Sequence, residues 1–505
     1  MRTTLDTYPA SHPGSPRFDP TRVRPVPGGT QSRSSFVGSD SILSDDQDLH
    51  LLRRATFGPT PTLLADIRQR GAATWLDEQL QPAQIDDAAM DSLLRRYTLI
   101  SAPLSQLLSL TEPRLASTQL VAATFARQVW SKRQLFEVMV DFWSNHFNVF
   151  TPHVATYITK PIEDRSVIRP NALGRFEDLL LASAKSPAML AWLNNEDSQK
   201  DEPNENYGRE LLQLYTVSPA AGYSEADVLN SARILTGRST DDLGSFLYKK
   251  DSHHVGTVKV MTWSSANASA TGGMAVGDSY LRYLARHEQT AHALSRKLAI
   301  RFVSDDPPPA LVEMLAGVYL DGGTAIVPWL RALFESPEFA AAVGRKTRRP
   351  TEDIIVTARV LGLQPPTTGV KPIGTLVADC GRMGQPPLGE FEVTGYSDVA
   401  SGWYSVSATL GLCNLHRSIA RGYPKTLPRP ELSTLLAGPA MATHGAMVDR
   451  LSVALTGQTL RTDHRNALLA YAGMTASQTY NQASVNLWLA DLTEMVLDSP
   501  YLKLR

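Results

Sequence analysis

The feature that most constrains how this chain can fold is the stretch from Thr118 to Val149, which carries QLVAATFARQVWSKRQLFEVMVDFWSNHFNV. Apolar side chains recur there every three or four residues, with polar ones between them. That spacing puts the apolar groups on one stripe of a helix, whereas a half-buried strand would alternate them every second residue. The same period returns in DQDLHLLRRATFG, RFEDLLLASAKSP, EADVLNSARILTG, TAHALSRKLAIRFV and EDIIVTARVLGL, and again from Ala408 to Tyr501. Strand signals are few, so the expected fold class is mainly α. The helices share no repeat of about 34 or 40 residues, which favours a large globular multi-helix assembly over a solenoid. With 505 residues, 43% of them apolar and 20% charged, there is ample material for one large core.

Residues 1–44 are rich in Pro, Ser, Gly and Arg and poor in large apolar groups. Such a composition cannot bury enough surface to order itself, and the segment reads as a flexible arm. From 45 to 505 the chain reads as a single large helical domain. The basic break GRKTRRP reads as a solvated link, so a subdivision would fall near 345–352. Local chemistry marks several helix ends. Gly58 and Gly71 are natural stops. Thr60-Pro61 opens a helix, and Tyr223-Ser224-Glu225-Ala226-Asp227 supplies a cap and an acidic first turn to another. Asp305-Asp306, ahead of three prolines, reads as a further cap. Residues 238–275 break the helical pattern with many Ser, Thr, Gly and Asn and short alternations such as TVKVMTW. They read as a long loop or small hairpin inserted over the helical body, and loops of that length are usually functional.

Several function classes are disfavoured. A net charge of -1 gives no electrostatic case for nucleic acid or an anionic membrane. No apolar run reaches the roughly 18 residues of a membrane span, and the first residues lack the apolar core of a secretory signal. The expected setting is the cytoplasm, without a nucleic-acid or membrane partner. Cys380 and Cys413 are too few for a disulfide framework or a cysteine-built zinc site. There is no phosphate-binding loop, dinucleotide fingerprint or Gly-x-Ser-x-Gly elbow, which disfavours nucleotide-dependent chemistry.

The densest cluster of amides and carboxylates between apolar segments is NNEDSQKDEPNENYGRELLQLYTVSPAAGYSEADVLNSARILTG, from Asn194 to Gly237. It reads as one wall of a site. Glu205 and Arg209 are four apart with the acid first, the favourable order for a helix ion pair. Glu210 is flanked by Leu211 and Leu212, and a partly buried carboxylate needs a partner or takes a raised pKa, as a catalytic acid, base or metal ligand would. Asn206 lies beside it. Asn194 and Asn195 close a helix or bind substrate. Opposite them, His146 lies on an otherwise apolar helix on which Glu137, Asp141 and Asn145 share a face. His146 suits either a buried bond to a backbone carbonyl or a role as general base or ligand.

LLRRATFGPTP, FWSNHFNV, PNENYGRELLQLYTV with GYSEADV and ARILTG, SRKLAIRFVSDDPPPALV, FESPEF, and GQPPLG with a later Gly-Tyr and Gly-Trp together resemble the bacterial domain-of-unknown-function family 1800, over roughly residues 46–430. The resemblance implies a mostly helical fold and names no activity. Relatives carry His-Asp-x-Gly in the long loop, where this chain has His253-His254-Val255-Gly256, so a charge-dependent role there is in doubt. Relatives are also often exported, and this chain shows no such signal.

His146, His253 and His287 all fall in segments that match the family. With Glu210 they are the residue types of a histidine or histidine–carboxylate centre for iron, copper or zinc, or of a haem ligand. The favoured expectation is an enzyme with catalytic Glu210 and His146 and metal-binding His146, His253 and His287. Asn145, Asn194, Asn206 and Arg209 would bind a small or peptide-like organic substrate. An oxidoreductase of hydroxylase type is slightly favoured over a hydrolase. One alternative is a metal-free carboxylate hydrolase of glycosidase type, pairing Glu210 with Glu205, Asp197 or Asp227. The other is a non-catalytic helical scaffold.

Overall fold

Side-chain caps set most of the helix boundaries that the sequence marks. The structure, a computed structural model, describes Ile42–Arg505 apart from Thr368 and Val370. Residues 1–41, nearly all of the expected arm, lie outside the described residues. Asp46 accepts a bond from the Leu49 amide and opens the helix Gln47–Ala55. Thr60 accepts from the Leu63 amide and Pro61 takes the first position of Pro61–Arg70, which stops at Gly71. Ser224 and Asp227 form a reciprocal capping box at the start of Glu225–Leu235. The described residues are mainly α, and their apolar side chains form one dominant core cluster. Ile42–Arg505 form one compact unit. None of the described helices is long and apolar enough to cross a membrane.

Three expectations are corrected. The run from Thr118 to Val149 is two helices, Arg114–Trp130 and Gln134–His146. Ser131 breaks it: its hydroxyl donates to Asp87 at 2.6 Å and accepts from the Arg133 amide at 3.0 Å, with an extended backbone between the two. Local side-chain bonding here outcompetes the helix ladder. Asp305 does not cap the helix Pro309–Asp321, whose N-terminus has no side-chain cap. It pairs instead with Lys346 and accepts from the Ala400 amide at 2.7 Å. The basic stretch is not a solvated link, because Lys346, Arg348 and Arg349 are buried. Its backbone runs against the end of the chain, with the Arg348 amide donating to the Lys503 carbonyl and the Arg505 amide to that of Lys346.

The insertion consists of two short antiparallel hairpins. β1 (Arg238–Thr240) pairs with β2 (Phe246–Tyr248), and β3 (Val258–Val260) with β4 (Trp263–Ser265). The second hairpin is fastened to the helix Glu225–Leu235. Asn230 donates to the Lys259 carbonyl at 2.9 Å, and Asp227 accepts from the Met261 amide at 2.7 Å. On its other side that helix crosses Glu205–Glu210 so closely that a Cβ at Gly208 would lie 2.7 Å from the Ala232 nitrogen.

The buried basic stretch is answered by buried acids. Arg349 reaches Asp141 at 2.7 Å, Glu352 at 3.2 Å and Asp398 at 3.4 Å. Arg301 pairs with Glu352, and Arg505 lies 3.3 Å from the same carboxylate. Burial pushes the Glu352 carboxyl up, but Arg301, Arg505 and Arg349 outweigh it and hold the group well below the ordinary carboxylate range. Nearby, Asp353 bonds His416 at 2.8 Å and Lys503 at 3.0 Å, and His416 also reaches Asp498 at 2.7 Å.

This last triad generates a pH test. Burial lowers the His416 pKa, but Asp353 and Asp498 overcome it and raise the group to about 9. A histidine whose folded pKa exceeds its unfolded value stabilises the fold fully below the unfolded pKa, near 6.5, and loses that contribution as pH rises through the folded one. Urea unfolding of the native chain and of His416→Gln is therefore expected to differ by roughly 3 kcal/mol more at pH 6 than above pH 9.5. A difference that is independent of pH contradicts a charged His416.

Candidate functional site

Two helices face each other through ion pairs and, one turn further on, through a hydrogen-bonded pair. On Gln134–His146, Asp141 and Asn145 share a face. On Glu288–Phe302, Lys297 and Arg301 do the same. Asp141 lies 3.8 Å from Arg301 and 2.7 Å from Arg349. The Lys297 ammonium donates to His146 Nδ1 at 3.2 Å and to the Leu214 carbonyl at 2.9 Å. His146 Nε2 reaches the Tyr215 carbonyl at 3.2 Å. A carbonyl only accepts, so Nε2 carries the proton and Nδ1 is the acceptor for Lys297.

The backbone supplies those two carbonyls because the helix Glu205–Glu210 widens into a π turn over Leu211–Tyr215. Such turns leave carbonyls without helical partners and recur at functional sites. The rings of Trp143, Phe147, Phe176 and Tyr215 surround the imidazole. Burial, with the charge of Lys297 added, pushes His146 well below the ordinary histidine range and keeps it neutral, the Tyr215 carbonyl opposing only in part. Burial also pulls the Lys297 amine down to about 8, with Asp398 opposing.

This pair opens onto a cavity of about 180 Å³ lined by Phe142, Asn145, His146, Lys297, Tyr396 and Asp398, among others. A loop closes it. Asn145 donates to the Tyr396 carbonyl at 2.9 Å and accepts from the Tyr396 amide at 2.7 Å. Asn148 donates to the carbonyls of Glu390 and Glu392. The loop can approach because residue 395 is glycine: its φ is +72°, and a Cβ there would lie 2.3 Å from the Asn145 carbonyl oxygen. Tyr396 donates from its hydroxyl to the Pro386 carbonyl, and Gln385 holds the Thr351 amide at 2.9 Å.

The expected histidine centre does not assemble. Both nitrogens of His146 are engaged. His253 is buried, with Nδ1 on the Thr236 carbonyl and Nε2 on Asn267, both at 2.9 Å, so it ties the insertion down. His287 caps a helix by accepting from the Gln289 amide at 3.1 Å. Among the described residues no group of three or more His, Cys, Asp or Glu could hold a metal ion. His146, His253 and His287 therefore do not fit a shared metal, and none presents a nitrogen lone pair that these bonds leave over for a haem iron.

The carboxylate and amide candidates also separate. Glu210 has its pKa raised by burial, against Arg209, yet it does not line the His146 cavity. Glu205 and Glu225 both pair with Arg209, at 3.1 and 2.6 Å, and Asp227 is engaged by its capping box and the Met261 amide. Asn194 sits at φ +54° with its carbonyl bonded to Asn204, and Asn206 donates to the Leu193 carbonyl, so both finish the helix Pro187–Trp192. Of the expected substrate-binding residues, Asn145 alone lines this cavity.

A family profile described as protein of unknown function (DUF1800) matches residues 50–504. The chain belongs to the DUF1800 family. No curated protein and no solved structure matches it. Several of the DUF1800 elements noted in the sequence meet at or beside this place. FWSNHFNV brings Asn145 and His146, SRKLAIRFV brings Lys297 and Arg301, GQPPLG brings Gln385, and the later Gly-Tyr brings Gly395 and Tyr396. Sequence reasoning missed Lys297, Asp398, Arg349 and Glu352. The signal available was Lys297 and Arg301, two cations four apart inside the apolar run TAHALSRKLAIRFV.

Gly395→Ala is expected to break the Asn145–Tyr396 clasp. Hydrogen exchange at the Tyr396 amide should quicken at least tenfold, which corresponds to about 1.4 kcal/mol of lost protection. Unchanged exchange contradicts the close approach.

Proposed function

We propose that this DUF1800 protein is an enzyme that acts on a small organic substrate, or the end of a peptide-like one, by proton transfer at Lys297 and His146. The observation that carries the proposal is the Lys297 amine, 3.2 Å from His146 and open to a cavity of about 180 Å³. A general acid–base works best when its pKa lies near the working pH, and Lys297 is drawn to about 8. Two of its N–H bonds are taken by Nδ1 of His146 and the Leu214 carbonyl. What remains for the cavity is a third N–H when the amine is charged and the lone pair when it is neutral. The neutral form takes a proton from substrate or water, and the charged form returns one. His146 orients the amine by accepting from it at Nδ1, and burial is what discourages the protonated form. Asp398 limits that effect from the other side of the cavity.

This reading replaces the histidine metal centre with a lysine–histidine pair and keeps the substrate class small. Cys380 and Cys413 are free thiols, which supports a reducing compartment such as the cytoplasm.

Competitive acetylation followed by mass spectrometry tests the pair. Lys297 should label with a midpoint near pH 8, against about 10.4 for exposed lysines. In a metabolite extract, a small molecule should be consumed by the native chain and at least about 100-fold more slowly by Lys297→Met, the usual loss with a general base. A midpoint above 10, or equal consumption by both chains, overturns the proposal.

A further inference from the structure

A larger cavity lies elsewhere, shares no lining residue with the Lys297 site and has a chemistry of its own. It is a groove of about 760 Å³, bounded by the helices Pro61–Arg70 and Ala72–Gln79 on one side and by residues at the ends of Arg114–Trp130 and Pro350–Val360 on the other. Small-molecule sites usually fall between about 300 and 1,000 Å³. Its lining includes the apolar faces of Trp75, Trp130, Leu63 and Val129.

The carboxylates that line the groove are already engaged. Asp66 and Glu78 pair with Arg70, and Asp86 accepts from the Ala88 amide at 3.1 Å. Among the described residues two cations of the lining have no carboxylate partner: Lys132, which is exposed, and Arg359, which is enclosed. Its guanidinium donates from Nε to the Gly58 carbonyl at 2.9 Å and from Nη1 to the Val129 carbonyl at 2.7 Å. Among the described residues it has no carboxylate within ion-pair distance, and Nη2 makes no hydrogen bond. Enclosure, with Arg348 as a like-charged neighbour, pulls it down to about 9. The Trp75 indole N–H likewise has no acceptor among the described residues.

A guanidinium enclosed without a counter-charge is costly, and water can satisfy its N–H groups without neutralising it. Two carbonyls hold this one in a fixed orientation, so its remaining edge is set for the fork geometry with which arginine grips an oxyanion. We propose that the groove binds an organic anion, a carboxylate or phosphate monoester on an aromatic or apolar body, with Arg359 holding the head group and Trp75 and Trp130 packing on the body.

Isothermal titration of the full chain with 3-phenylpropanoate, phenyl phosphate and the uncharged 3-phenylpropanamide tests this. At least one of the anions should bind at least about tenfold more tightly than the amide, a difference of 1.4 kcal/mol. Which anion binds more tightly names the head group. Arg359→Gln should remove that preference while leaving any weak binding of the amide. The comparison of anion with amide on the native chain stands even if the variant fails to fold. Equal affinity for all three probes, no binding of either anion at about 10 mM, or an undiminished preference in folded Arg359→Gln overturns the proposal.

Discussion

The interaction on which the rest of this structure depends is the buried cluster of Asp141, Glu352 and Asp398 with Arg301, Arg349 and Arg505. Its members come from the helices Gln134–His146, Glu288–Phe302 and Pro350–Val360, from the closing loop and from the end of the chain. Desolvating six charges costs about what their attraction returns, so such a cluster adds little net stability over apolar packing. What it supplies is orientation. A guanidinium satisfied by two or three carboxylates at 2.7–3.5 Å has few alternative placements, and the removal of one partner would leave uncompensated charge in the interior.

That orientation is what makes the candidate site. Arg301 and Lys297 are one helical turn apart, as are Asp141 and Asn145. The ion pairs that fix one turn of the two helices therefore fix the next, where Lys297 meets His146. Asp398 belongs to both neighbourhoods, because it pairs with Arg349 and Arg301 and also lines the cavity. The lysine–histidine pair in turn caps the π turn at the end of Leu211–Tyr215 through the carbonyls of Leu214 and Tyr215. The polar stretch from Asn194 to Gly237 thus contributes backbone to the site, while Glu205, Arg209, Glu225 and Asp227 are spent on local bonds.

What was legible in the sequence and what was not divide along physical lines. Features set by a few neighbouring residues were readable: the caps at Thr60 and Ser224, the stop at Gly71, the helical class and the hairpin character of 238–275. The membership in DUF1800 was readable from its motifs. Features set by distant partners were not. GRKTRRP looks like a solvated run because nothing in it shows that Asp141 arrives from 208 residues away to meet Arg349. His253 looks like a ligand until Asn267 is found on it. Lys297 was hidden for the opposite reason: a lysine in an amphipathic helix normally reaches solvent, and here its amine turns inward to two acceptors.

Burial sets the charge state of Lys297, and the buried cluster limits that shift through Asp398. The most direct measurement is the labelling midpoint of Lys297 in Asp398→Asn beside the native chain. Removing the one carboxylate that raises the Lys297 pKa should move the midpoint below about 8 while the chain remains folded. A midpoint that stays in place, or that rises toward the 10.4 of an exposed lysine, would contradict the account.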